Sequence, residues 1–122
     1  MSAGNATDNT AIGYEALTAT TTGDANTGIG ASALTANTTG ASNTAVGHNS
    51  LKVNTTGAAN VAIGNEALEE NTTANNNVAI GVHAMGANTS GAQVAVGYQA
   101  LYTCNGGAQN TAIGYRLSLI HI

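Results

Sequence analysis

The motif Asn-Thr-Ala-Ile-Gly, with close variants, returns at almost constant spacing along the whole 122-residue chain. Its aliphatic anchors are Ile12, Ile29, Val46, Ile63, Ile80, Val96 and Ile113, at successive intervals of 17, 17, 17, 17, 16 and 17. A glycine follows every anchor, and a small residue precedes it, alanine six times and Gly28 once. Three positions before the anchor stands asparagine, replaced once by Gln93. Five positions after it comes a second apolar column: Leu17, Leu34, Leu51, Leu68, Met85 and Leu101. A polar turn then closes each unit, as in ANTTG at 36–40, VNTTG at 53–57 and ANTSG at 87–91. The consensus is NTAIGYEALTANTTGAA, and the short interval loses its residue between Gly91 and Gln93.

A repeat of this length is too short for two packed helices, which need about 33 residues or more per unit. It suits one coil of a β-solenoid, with two short strands and two turns. Glycine after the anchor supplies backbone angles that a Cβ resists. Asparagine at the corners can bond its own backbone, and identical asparagines on stacked coils can form ladders. The absence of proline fits a chain in which each coil donates hydrogen bonds to the next. The sequence therefore predicts an all-β fold: a solenoid of seven coils over residues 5–116, followed by an off-pattern tail at 117–122 (LSLIHI). At about 4.8 Å per coil the rod is about 30–35 Å long.

Strand alternation places the Thr10/Val61 and Ile12 columns on one face and the alanine column on the other. The β-branched residues are expected to point into the coil, leaving alanine outside as a surface that accepts a close neighbour. The resulting core is thin. Of the chain's apolar residues 24 are alanine, and Phe and Trp are absent, so a compact globule is excluded and association with further copies is expected.

Charge narrows the function classes. The net charge is −4, with Lys52 and Arg116 the only Lys or Arg, too few to neutralise a run of nucleic-acid phosphates or hold an anionic membrane. No apolar stretch approaches the roughly 20 residues that span a bilayer. Met1 to Asp8 lacks the basic and apolar regions of a secretory signal, so if the parent protein is exported, its export signal and anchor are expected outside these residues.

The recurring Asn-Thr/Val-Ala-Ile-Gly block with its Ala-Leu continuation resembles the head repeats of trimeric autotransporter adhesins (YadA-like), and repeats of phage tail-fibre-like proteins. The resemblance covers about residues 5–116. It implies a left-handed parallel β-roll, three chains packed about an axis, and an extracellular place on a bacterial surface or virion fibre. The family's head repeat is shorter than this one, and its stalk, neck and membrane anchor have no counterpart in these residues. No binding residue of the family transfers.

Candidate chemistry is sparse. Glu15 and Glu66 share a column but lie three coils apart, about 14 Å, which exceeds the roughly 5–9.5 Å of glycosidase carboxylate pairs. Glu69 and Glu70 are neighbours in a turn. Glu66 and His83 share a column on adjacent coils, continued by Gln99 and Arg116, and form an expected outward polar ladder. His48 stands in another column and His121 in the tail. Metal sites need several converging ligands, and none is expected; nor is a cofactor. Gly28 and Gly30 form no phosphate loop, because no GK[ST] follows. Cys104 takes the place of a turn asparagine, which predicts exposure. The sequons at Asn37, Asn54, Asn71 and Asn88 follow from the NTT turn itself.

Tyr14, Tyr98 and Tyr115 stand two positions after the anchor, where other coils carry Ala31, His48, Asn65 and Val82. A varying column on a constant scaffold could encode recognition, although drift on an exposed face gives the same variation. The expected function is a structural, adhesive rod rather than an enzyme, a homotrimer presenting outward columns to a host-cell surface, matrix protein or glycan. The second expectation is an ice-binding solenoid using the paired turn residues Thr21/Thr22, Thr38/Thr39, Thr55/Thr56, Thr72/Thr73 and Thr89/Ser90. Against it, neighbouring threonines in a turn do not share a flat strand face.

Overall fold

The computed structural model describes residues 5–104 and 106–117. Among these residues seven three-residue strands occur, one per repeat rather than the expected two, the rest of each coil being turns: β1 (Thr10–Ile12), β2 (Thr27–Ile29), β3 (Thr44–Val46), β4 (Val61–Ile63), β5 (Val78–Ile80), β6 (Val94–Val96) and β7 (Thr111–Ile113). They form one parallel sheet in sequence order, and each strand pairs in register with the equivalent residues of the next. The chain is thus a β-solenoid in which one repeat makes one turn. The one short interval leaves the sheet register intact, with Val78 opposite Val94 and Ile80 opposite Val96.

Backbone bonds join the coils on every side. Leu34 donates to the Ser50 carbonyl (3.1 Å), Ala36 to Lys52 (3.1 Å) and Thr38 to Thr55 (2.9 Å). Bonds of the opposite sense join Gly47 to Ile29 (2.8 Å) and Asn49 to Ala31 (3.0 Å). The anchor glycines are required twice over. Gly47 has φ +133°, and a Cβ there would lie 2.6 Å from the Gly64 carbonyl oxygen.

The strand faces are the reverse of the sequence expectation. Ala45, Ala62, Ala79, Ala95 and Ala112 are fully buried, whereas Ile12 is 59%, Ile63 38% and Ile113 65% exposed. The reason is space. A Cβ on Gly28, in the alanine column, would stand 3.2 Å from Leu17 Cγ. The leucine column, buried as expected, fills the lumen to the wall, so only a methyl group fits opposite and the β-branched side chains are turned outside.

The remaining interior is polar. Asn26, Asn43, Asn60 and Asn77 line one corner and Asn37, Asn54, Asn71 and Asn88 another, all fully buried. In the first ladder the backbone N–H of Asn43 donates to Asn26 Oδ1, and that of Asn60 to Asn43 Oδ1, both at 3.0 Å. In the second, Asn54 Nδ2 donates to Asn37 Oδ1 (2.9 Å) and Asn71 Nδ2 to Asn54 Oδ1 (2.8 Å). Where they pair in this way, as from Asn26 to Asn60 and from Asn37 to Asn54, the amides avoid the desolvation penalty of an unpaired buried polar group. Cys104 occupies this second column and is only 6% exposed, so its expected exposure is overturned by the same inward geometry.

At the far end the Leu117 carbonyl accepts a bond from Leu101 (2.8 Å), in the place where Ala84 serves Leu68 two coils earlier. The remainder of the expected tail, 118–122 with His121, lies outside the described residues.

Candidate functional surface

Two outward features stand out. The first is the sheet face. On β2 to β7 the middle residue is buried and the outer residues are the first and third, so the Thr/Val and Ile/Val columns lie side by side along the rod. In the middle of the rod they read Val61, Ile63, Val78, Ile80, Val94 and Val96. Ile63 and Ile80 are 38% and 37% exposed, so β-branched side chains line this face without charge along its length.

The second is a strip on the following edge. Glu66 Oε2 lies 3.1 Å from His83 Nδ1, as the shared column predicts. The His83 ring meets Tyr98 and Tyr102 edge-on at centroid distances of 6.4 and 6.2 Å, and Tyr98 stacks on Tyr115 at 5.3 Å. Tyr102 belongs to this cluster although its column, the residue after the leucine, gives no sequence signal. Its ring lies against Gly86, where a Cβ would be 2.6 Å from Tyr102 Cε2. At the opposite end Tyr14 is isolated from the other tyrosines and 75% exposed, and the carboxylate of Glu15 raises its phenol above the usual tyrosine range. His48 Nδ1 lies 3.1 Å from Asn65 Oδ1, its neighbour in the varying column.

Glu15 and Glu66 stand in different coils, and among the described residues no group of three His, Cys, Asp or Glu converges. The described residues enclose no pocket. The turn threonines are also engaged: Thr21, Thr38 and Thr55 donate their hydroxyls to the carbonyls of Thr38, Thr55 and Thr72 at 3.1, 3.0 and 3.1 Å. Comparison with protein families, curated proteins and solved structures finds no match to this chain.

Proposed function

We propose that this chain is a structural and adhesive module: the rod-like head or shaft of a trimeric surface adhesin or phage-type fibre that attaches to a host surface. The observation that carries the reading is the outward Thr/Val and Ile/Val face on the sheet. An uncharged, largely apolar face along one side of a rod is a surface that association covers. Three rods packed by this face would bury the β-branched columns, not the alanines, about a common axis. The remaining edges, including the Tyr98–Tyr115 strip, would then face outward in three copies, and weak contacts with a host glycan or matrix protein would add through multivalency. The resemblance of the repeat to adhesin head repeats supports the same assembly.

The test is sedimentation equilibrium of the intact chain beside a double variant, Ile63→Lys with Ile80→Lys. A mass three times that of the single chain, falling to the single-chain mass in the variant, is the expected result. A folded wild-type monomer would overturn the assembly.

A second reading is an ice-binding solenoid that uses the strand face: Thr/Val and Ile/Val two positions apart on parallel strands in register form a two-column face that the turn threonines do not. A folded monomer with thermal hysteresis, lost in the double lysine variant, would establish that reading instead.

A further inference from the structure

The interior amide network fails in one coil, residues 77–92, which spans the short interval. Among the described residues, four buried side-chain atoms lack a partner: Thr20 Oγ1, Asn71 Oδ1, Asn77 Nδ2 and Gln93 Oε1. Three of the four belong to this coil or flank it. In the three preceding coils, two asparagine amides grip the carbonyl that closes the turn, as Asn60 and Asn71 grip that of Ala74 at 2.9 and 3.1 Å. In the short coil Asn88 Nδ2 turns to the Ser90 carbonyl (2.9 Å) and Asn77 Nδ2 has no partner. Asn88 therefore no longer reaches Asn71 Oδ1, and the second ladder stops there. One residue fewer in the turn displaces the carbonyl that both amides need.

The aromatic strip crosses this coil from outside. Glu66 precedes it, His83 and Gly86 belong to it, and Tyr98 and Tyr102 follow it. The chain has four tyrosines, and three of them stand in the two coils that follow. We propose that Glu66, His83, Tyr98 and Tyr102 form an external splint that holds the short coil in the rod, and that this coil is where the rod opens first. Solenoid stability is approximately a sum of coil terms and nearest-neighbour interfaces, so a coil with unpaired buried amides is the weak link of the series. Ring contacts outside the wall compensate for hydrogen bonds missing within it. The break divides the rod into a regular block before residue 77 and a terminal block after residue 92.

Residue-resolved hydrogen exchange under native conditions tests this. The amides of Met85, Ala87 and Gln99 cross between the short coil and its successor, while those of Leu34 and Leu51 bridge regular coils. The first set is expected to exchange about tenfold or more faster than the second. Inserting one alanine between Gly91 and Ala92 restores the regular spacing and should slow Met85, Ala87 and Gln99 towards the rate of Leu51; simple fraying of the terminal coils would not respond. Tyr102→Ala should accelerate the same three amides further and spare Leu34 and Leu51, whereas Tyr14→Ala should leave all five unchanged. Equal protection across the wild-type rod, an insertion without effect, or a uniform response to Tyr102→Ala would each overturn the proposal. Should Tyr102→Ala fail to fold, the insertion variant decides alone.

Discussion

Asn43 and Asn54 donate their side-chain amides to one and the same carbonyl, that of Gly57, at 2.8 and 2.9 Å. They approach from two corners of the coil and tie its closing turn to both. Asn26 and Asn37 do this at Gly40, and Asn60 and Asn71 at Ala74. The thin apolar column is therefore accompanied by a repeating polar clip, in which the amides also contact their counterparts on neighbouring coils.

Removing one arm of the clip should be costly. Asn54→Ala takes the donor from Gly57 and Asn37 and the acceptor from Asn71. Leaving buried polar atoms unpaired costs about 1–3 kcal/mol each, so a fall of at least that size in unfolding free energy is expected. Chemical denaturation followed by circular dichroism measures it. Asn75→Ala, at an exposed position whose side chain accepts from the Ala58 N–H, should cost less.

The same burial decides the sequons. Asn37, Asn54, Asn71 and Asn88 are fully enclosed, and a glycan on any of them would have to pass through the coil wall. When the chain is produced in a secretory pathway that glycosylates asparagine, the folded fraction should carry no glycan at these positions. Peptide mass spectrometry of that fraction reads the result, and glycan at Asn54 in folded material would refute the clip.

Glycine substitutions should separate by column. Gly47→Ala meets a φ of +133° and a carbonyl 2.6 Å from the new methyl, and is expected to lower stability by more than about 2 kcal/mol. Gly28→Ala has no such backbone demand. It completes a column that is alanine in β3 to β7, and Leu17 need yield only a few tenths of an ångström. A gain of about 0.4–1 kcal/mol is expected from the stiffer unfolded chain. Thermal melts of the two variants against wild type test both signs.

The period, the place of the Thr/Val-Ala-Ile strand, the parallel register and the Glu66–His83 contact are legible in the sequence because each depends only on residues returning in phase; the expected second strand of each coil is a turn instead. The facing of the strands is not, because burial preference favours Ile and Val over Ala when the interior has room for either. The deciding information is the near-constancy of size in the alanine column: from Ala45 to Ala112 it never varies, while the anchors alternate between Ile and Val. A position held to one methyl group reports a tight wall on that side. The inward place of Cys104 and the turn asparagines escapes for a related reason, since polar residues default to solvent although a ladder can satisfy them indoors. The outer splint is half visible: spacing places Glu66 beside His83, but Tyr102 reaches the strip from a column with no regularity of its own.

Backbone strain gives a prediction with an unusual sign. Ala59, Glu66 and Leu68 have φ of +55°, +57° and +51°, the left-handed region, and equivalent residues of other coils share it. Such a conformation costs an L-residue about 1–2 kcal/mol relative to glycine. Ala59 is exposed and contributes no burial in return. Ala59→Gly should therefore raise stability or leave it unchanged, the relieved strain exceeding the roughly 0.5–1 kcal/mol that glycine's extra freedom in the unfolded chain takes back. Leu68 shares the backbone angle but is fully buried, so Leu68→Gly loses about 2–5 kcal/mol of packing that strain relief cannot offset. Urea midpoints of the two variants should move apart, Ala59→Gly at or above wild type and Leu68→Gly well below it. A midpoint for Ala59→Gly clearly below wild type would mean that the corners are held left-handed by local preference, with no strain for packing to overcome.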